Sequence, residues 1–320
     1  MLDKMHLTKK NISDSECCQI IVKSKLRKHY LNGKAYFDNK DTKDFNGGFY
    51  IKIDVRGALK IVGSVHKFSS FLKTGLLDNY NTFTMSEAKE TLYNVLDYYG
   101  ISADGLMVHL FELGANIPVK IPPAELLEQL ESIGNKKFYF NPIYKNESVK
   151  TTDLHRDFRV VYKVYDKLHE LHEKKRRPPE NAINLIRLET TYRRVQKTEI
   201  SNFLTIGNLQ KLQAKFISDF MKLNFSPFII YTGSEKTAQY KIELARLIVS
   251  VGTVKALEIC KERFLIGEIT PKQYKTQRMF VNYWFKSHMK NYKTEKPKFS
   301  PSWDCSLISE FQKITEKSIT

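Results

Sequence analysis

Alternating apolar and polar residues predict strands in the first two thirds of the chain. In 49–56 every second residue from Phe49 to Val55 is apolar and the intervening residues are mostly polar, which is the period of a half-buried strand. Gly57 supplies a turn, so 58–66 is predicted to return as the second strand of a hairpin. Further strands are predicted over 106–117, 138–144, 158–165 and 183–192.

A helical period and residues typical of helix ends predict the remaining elements. One helix is predicted over 86–99, with Ser86 as its N-cap and Gly100 after its last turn. A second is predicted over 122–133, opened by prolines and ended by glycine. A third, strongly charged, is predicted over 167–177. Helices are then predicted at 207–224, 235–248, 252–265, 271–290 and 304–317.

These patterns predict an α+β fold, a largely antiparallel sheet with flanking helices, followed by a helical C-terminal region. The mixed pattern covers 1–200 and the helical one 201–320, which we interpret as two domains.

The net charge of the chain indicates which classes of binding partner to expect. Lys and Arg total 52 against 35 Asp and Glu, a net charge of +17. Such a surplus attracts polyanions, so nucleic acid is the first candidate partner and an anionic membrane surface the second. The sequence contains no run of about 18 apolar residues, so we expect no membrane span.

Cysteine usage and the first ten residues bear on the compartment. Cys17 and Cys18 are adjacent, Cys260 and Cys305 lie far away, and no spacing is typical of a zinc site. The first ten residues are polar and lack the apolar stretch of a signal peptide. We therefore expect free thiols and a cytoplasmic protein.

Three predicted strands carry polar groups on a face that could have been apolar. Glu112 lies on the first, Lys163 and Tyr165 on the second, and Arg187 and Glu189 on the third. If the strands adjoin, carboxylates, a tyrosine and cations meet, a combination that suits phosphodiester chemistry with a divalent metal. By alternation Arg159 and Lys167 share the face of Tyr165. The alternative is an ordinary solvated face with cross-strand ion pairs.

The sequence lacks the motifs of several other catalytic classes. The sequence contains no glycine-rich Walker loop, which argues against an ATPase. It has no pair of histidines separated by one hydrophobic residue, the metal motif of many rolling-circle nicking enzymes. A zinc-protease helix would need histidine at the position of Glu173. The arginines near Tyr165 lie in the wrong order for a tyrosine recombinase.

The segment from Val164 to Leu171 resembles the Tyr-x-Lys-x-x-Glu-Leu segment of filamentous-phage replication initiators of the gene II / gene X family and related plasmid initiators. Four more segments resemble that family in a compatible order, so the resemblance covers about residues 1–200. They are Met1–Leu7, Gly63–Phe68, Leu110–Ile117 and Leu185–Glu189.

The resemblance implies a rolling-circle replication initiator, an endonuclease that nicks one strand of the origin through a covalent 5′-phosphotyrosine. Tyr165 would be the nucleophile, with Glu112 and Glu189 holding Mg²⁺ or Mn²⁺. Lys167 and Arg187 would contact the scissile phosphate or stabilise the phenolate. Further candidates are Asn116 and His66 near the metal, and Arg159, Lys163, Lys174, Lys175, Arg176 and Arg177 on DNA.

The partners implied are double- and single-stranded origin DNA, with a host helicase as a further candidate. The helical domain would bind DNA or pack against the sheet domain, which would carry the active site. Two alternative functions stay open. The chain could be a DNA-binding replication regulator without catalysis, or a basic RNA-binding or structural protein. The basic helix after Tyr165 could be merely solvated, and His66 could be a capping or packing residue.

Overall fold

The computed structural model describes residues 1–81, 83–119, 122–141, 145–151, 160–174, 184–225, 228–231, 239–284 and 292–295. The strands are β1 (Leu2–Lys9), β2 (Arg27–Leu31), β3 (Lys34–Asp38), β4 (Tyr50–Ile53), β5 (Leu59–Ser64), β6 (Met107–Pro118), β7 (Leu130–Ile133), β8 (Lys136–Lys137), β9 (Tyr139–Asn141), β10 (Lys145–Lys150), β11 (Val160–Asp166), β12 (Leu185–Glu199), β13 (Leu223–Phe225), β14 (Phe228–Tyr231) and β15 (Tyr292–Glu295). The helices are α1 (Asp14–Lys23), α2 (Val65–Thr74), α3 (Met85–Tyr99), α4 (Pro123–Gln129), α5 (Lys167–Glu173), α6 (Ile200–Phe203), α7 (Ile206–Phe220), α8 (Gln239–Leu265) and α9 (Pro271–Met279).

A ten-stranded sheet organises the chain, in the order β2-β3-β4-β5-β1-β6-β12-β11-β10-β9. Every neighbouring pair in this sheet is antiparallel. Helices flank the sheet, and most of the described chain after it is helical. The α+β prediction is therefore confirmed.

One face of this sheet is the apolar core. Ile51 and Ile61 lie opposite each other on β4 and β5, and both are fully buried. Phe49 packs edge-on against Phe68 of α2, and on the other half of the sheet Phe111 stacks on Tyr192. Each such side chain stabilises the fold by about 1.5–3 kcal/mol. Because strand residues alternate, the opposite face receives the polar side chains.

The predicted second strand of the first hairpin is shorter than expected. It ends at Ser64, and His66 lies in the first turn of α2 and not on a strand. The Ser64 side chain accepts a hydrogen bond from the Lys67 backbone N–H at 3.1 Å, which starts the helix. Val65 and Phe68 then face the core with a helical period.

Two helix boundaries also differ. The helix that begins at Pro123 ends at Gln129, because 130–133 pairs with Lys136–Lys137 as a strand hairpin around Gly134. The helix predicted from Ser86 is capped by Thr84 instead. Thr84 and Glu87 cap each other's backbone N–H groups reciprocally.

In the C-terminal region the helices predicted at 235–248 and 252–265 are one helix, α8. A single Gly252 costs about 1 kcal/mol relative to alanine, which is too little to end a helix by itself. The helix predicted over 271–290 ends at Met279 and continues as a π-helical turn, Phe280–Trp284. The helix predicted at 304–317 lies outside the described residues.

The described residues form two compact units. The first lies within Met1–Glu128 and Ser132–Leu223, and the second within Gln129–Glu131 and Asn224–Ser300. The predicted division at residue 200 stays a prediction. The core of the second unit is built from Leu244, Ala245, Ile248, Ala256, Cys260, Phe280 and Val281. In the described part of the chain, helices fall short of the length and apolar character that a membrane span requires.

Candidate active site

The polar face of the sheet carries the candidate site where β6, β12 and β11 lie side by side. The strand register places Arg187 between Asn116 and Tyr165, and it pairs Glu189 with Lys163. Directly opposed residues have Cβ atoms about 5 Å apart. Antiparallel pairing therefore gathers on one surface the groups that alternation had assigned to three separate polar faces.

Three carboxylates form the acidic cluster, Asp3 with Glu112 and Glu189. Each offers an oxygen that lies within 4.8 Å of the others, and all three residues are buried. Buried like charges destabilise a fold unless cations or hydrogen bonds compensate them. The surroundings of the cluster provide both.

Arg187 is the innermost cation and is only 1% exposed. Its Nε donates to Glu189 Oε1 at 2.8 Å, and its Nη2 donates to Asp3. Its Nη1 donates to Asn116 Oδ1 at 2.9 Å. Gly114 lies directly beneath the guanidinium, and a Cβ at that position would overlap it. The guanidinium is thus fixed among these acceptors.

Lys163 is the second cation of the cluster. Its Nζ donates to Glu112 Oε2 at 3.3 Å and to Glu189 Oε2 at 3.1 Å. Burial opposes the charged ammonium, but the two carboxylates outweigh it and raise the pKa of Lys163. Thr191 also donates to Glu112 Oε2, at 2.7 Å. With Lys163 and Arg187 charged, the three carboxylates keep an excess of one negative charge.

The carboxylates differ in their titration. Burial and repulsion by Glu189 raise the pKa of Glu112. Burial also opposes ionisation of Glu189, but Arg187 and Lys163 outweigh it and lower the pKa of Glu189. The pKa of Asp3 is lowered in the same way, because Arg187 overcomes the cost of burial. Glu112 is therefore the member of the cluster that binds a proton most readily.

Tyr165 joins the acidic cluster through its hydroxyl, which donates to Glu189 Oε1 at 2.8 Å. Burial and the charge of Glu189 raise the pKa of Tyr165 well above its usual range, against the opposing effect of Arg187. Tyr162 points to the other face, as its position in the alternation predicts. Its hydroxyl donates to Asp219 Oδ2 at 2.8 Å.

Alternation predicts that Lys167 continues the strand face of Tyr165. Instead, Lys167 is the first residue of α5. Asp166 caps the helix by accepting backbone N–H groups of Leu168 and His169. The Lys167 Nζ is fully buried and donates to Asn79 Oδ1 at 2.8 Å and to Glu170. Burial and repulsion by Arg187 lower the pKa of Lys167 to about 8.

The acidic cluster lies in a cleft of about 1110 Å³. Glu112, Glu189, Lys163 and Tyr165 all line it. Further lining residues are His169, Glu170 and Glu173 of α5, and Lys174 directly after that helix. The predicted DNA-contacting Lys174 lines this cleft too, paired with Glu170. The other predicted DNA contacts, Arg159, Lys175, Arg176 and Arg177, lie outside the described residues.

The predicted residues Asn116 and His66 line a different, smaller cavity of about 210 Å³. Asn116 donates to the backbone carbonyl of Asn79 at 2.8 Å while accepting from Arg187. His66 stacks on Phe83 and shares a hydrogen bond with Asn81. Burial lowers the pKa of His66 to about 3, which keeps the ring neutral and suits a packing role.

Asp3 is the site residue that the sequence analysis missed. On β1 it shares its parity with the core residues Met5 and Leu7, so alternation assigns it to the apolar face. A β-bulge between Leu2 and Met5, opposite β6, shifts the register there. The sequence signal that could have identified Asp3 is its position in Met1–Leu7, one of the segments that resemble the initiator family.

The donor set suits a divalent cation, because Mg²⁺ and Mn²⁺ prefer carboxylate oxygen ligands. The oxygens of Asp3, Glu112 and Glu189 are within 4.8 Å of each other. The cluster also keeps negative charge after Arg187 and Lys163 are counted. A metal ion could be held by these three carboxylates.

Replacing Glu112 by glutamine is expected to weaken Mn²⁺ binding at least tenfold, about the least that loss of a supporting group costs at metal sites. The amide keeps the shape of the side chain but removes one of the three charges that attract the ion. Titration of free Mn²⁺ by electron paramagnetic resonance measures the affinity. Glu173→Gln is the matched control, because Glu173 lines the cleft outside the cluster. Equal affinity in the two variants would contradict the site.

Comparisons with known proteins assign no family. No family model matches the chain, and no curated protein sequence matches it. The resemblance to filamentous-phage initiators therefore stays one of short segments in a compatible order. The geometry of the cleft is what bears on function.

Proposed function

We propose that the chain is a metal-dependent DNA endonuclease and strand transferase that initiates rolling-circle replication through a covalent 5′-phosphotyrosine. The observation that carries the proposal is the hydrogen bond from Tyr165 to Glu189 inside the acidic cluster. It places a nucleophilic hydroxyl next to a site suited to Mg²⁺ or Mn²⁺.

Asp3, Glu112 and Glu189 would hold the metal, which supplies Lewis-acid stabilisation of charge on the phosphoryl oxygens. Arg187 holds Asp3 and Glu189 in place, and its charge lowers the cost of forming the Tyr165 phenolate. Because each of its nitrogens donates to a protein acceptor, we assign Arg187 to positioning and not to phosphate contact. Lys163 lines the cleft beside the acidic cluster and is a cation within reach of a bound phosphate.

The chemical step exchanges one ester for another. The Tyr165 oxygen forms a bond to phosphorus while the bond from phosphorus to the 3′-oxygen breaks. The phenol proton passes to Glu189 Oε1, to which the hydroxyl donates at 2.8 Å, and from there to solvent. A water molecule gives the departing 3′-oxygen the proton of its new 3′-hydroxyl. Attack of a 3′-hydroxyl on the phosphotyrosine reverses these changes and rejoins a strand.

The test is covalent capture of DNA by the purified full chain. A library of supercoiled plasmids carrying genomic fragments from the source organism is incubated with Mn²⁺ and then separated under denaturing conditions. We expect nicked circles with protein attached at the 5′ end, none in EDTA, and none with Glu112→Gln, whereas Glu173→Gln retains them. DNA binding without nicking or adducts would overturn the proposal and identify a non-catalytic replication regulator.

A further inference from the structure

We propose that one arm of the cleft binds single-stranded DNA and leads it to Tyr165. This basic arm consists of Lys4, Lys40, Lys43, Tyr50 and Lys60, all of which line the cleft. The inference rests on the proposed function, since the strand it binds is the one whose phosphate reaches the acidic cluster. It adds a binding surface that the nicking chemistry does not require.

The cations of the basic arm differ from those around Tyr165 in their partners. Lys163, Lys167 and Lys174 are each paired with a carboxylate. Among the ion pairs of the described residues, none involves Lys4, Lys40, Lys43 or Lys60. Asp44 also lines this arm, and the buried carboxylate of Asp38 is hydrogen-bonded to the Tyr50 hydroxyl. Four cations against one exposed carboxylate form a surface that attracts phosphates.

The strand register spreads three residues of the basic arm along the line of β5. Lys4, on β1, lies opposite Ser64, and Lys60 lies four residues before Ser64 on β5 itself. Tyr50, on β4 at the other side of β5, lies opposite Val62, midway along this length. Four residues of strand span roughly 13 Å. Phosphates on one strand repeat about every 3.4 Å when stacked, so the line spans about four nucleotides.

The near end of this line is next to the acidic cluster. Lys4 follows Asp3 in the chain, and the hydroxyl of Ser64 donates to Asp3. The side chains of Lys4 and Lys60 are exposed, and Tyr50 is half-buried. A strand lying along the arm therefore ends where a phosphate would enter the cluster.

Single-stranded DNA fits the arm better than a duplex. Proteins that bind single strands combine a positive groove with aromatic rings on which bases stack, and Tyr50 provides such a ring between two cations. The cluster itself is recessed, since Glu189 is only 6% exposed. The sugar-phosphate backbone of a duplex is stiff and reaches the recessed acidic cluster less readily than a flexible single strand.

The experiment measures fluorescence anisotropy of a labelled 12-mer of thymidine with the full chain in EDTA, so that binding is separated from chemistry. We expect the double variant Lys4→Gln/Lys60→Gln to bind at least about tenfold more weakly. For this variant the slope of log affinity against log salt concentration should be shallower by about 1.4, since each phosphate contact contributes about 0.7 to the slope. Tyr50→Val should weaken binding at least about fivefold with an unchanged salt slope.

The matched control is Lys89→Gln/Lys211→Gln, which removes two charges from α3 and α7, helices that pack on the core side of the sheet. The inference is overturned if the arm variant loses no more affinity than this control, or if a 12-base-pair duplex binds the wild-type chain as tightly as the 12-mer. Weakened 12-mer binding in the arm variants without any nicking by the wild-type chain would refute the proposed function alone. Nicking with unchanged 12-mer binding would refute the basic arm alone.

Discussion

Replacing Tyr165 by phenylalanine is expected to abolish covalent protein–DNA adducts and to lower nicking at least about 1,000-fold, because the attacking oxygen is removed. The ring is retained, and the hydrogen bond lost is one to Glu189, which keeps Arg187 and Lys163 as partners. DNA and Mn²⁺ binding should therefore stay near wild type. Adducts resolved on denaturing gels, together with anisotropy on the 12-mer, measure both effects.

Tyr162 supplies the matched control for this substitution. It lies three residues earlier on β11, on the opposite face, and bonds Asp219 and packs against Phe220. Tyr162→Phe should form adducts at the wild-type level, with a loss of stability of about 1 kcal/mol from the missing hydrogen bond. Adducts that persist in Tyr165→Phe but vanish in Tyr162→Phe would show that the nucleophile is assigned to the wrong face.

Replacing Arg187 by methionine is expected to lower the free energy of unfolding by about 3–5 kcal/mol at neutral pH. The substitution leaves Asp3 and Glu189 buried with one cation fewer, and removing one partner of a buried ion pair is far costlier than removing the pair. Urea unfolding followed by circular dichroism measures the loss. Arg193→Met is the control, since Arg193 is exposed on the same strand.

The loss should depend on pH in a defined direction. Arg187 holds the pKa values of Asp3 and Glu189 below their usual range against the cost of burial. The stability it contributes is therefore present above the unfolded pKa values, about 4, and fades as the pH falls further. A loss below about 1 kcal/mol at pH 7, or one that grows on acidification, would contradict this account of the cluster.

Much of the site was predictable because strand alternation is a local property. The period of two assigned Glu112, Lys163, Tyr165 and Glu189 to polar faces, and the structure places all four on the cleft. The same period correctly separated Tyr162 from Tyr165. Which strands are neighbours is not local, so the pairing of Glu189 with Lys163 needed the sheet order.

The exceptions occur where another local rule competes with alternation. His66 and Lys167 were placed on strand faces, but Ser64 and Asp166 cap helices immediately before them. A side chain that accepts backbone N–H groups ends a strand whatever the parity of the residues that follow. Both residues consequently turn into buried positions with protein partners.

The sequence by itself determined the fold class, the polar faces and the basic character of this protein, since these follow from residue spacing and charge. The tertiary structure alone decided which residues form the acidic cluster and which of its cations is buried and which lines the cleft. A bulge places the side chain of Asp3 on the polar face of the sheet, next to Glu112 and Glu189. Burial turns Arg187 inward, while the basic arm keeps its lysines free of carboxylate partners within the described residues. Register and burial are properties of the packed chain, and spacing along the sequence does not encode them.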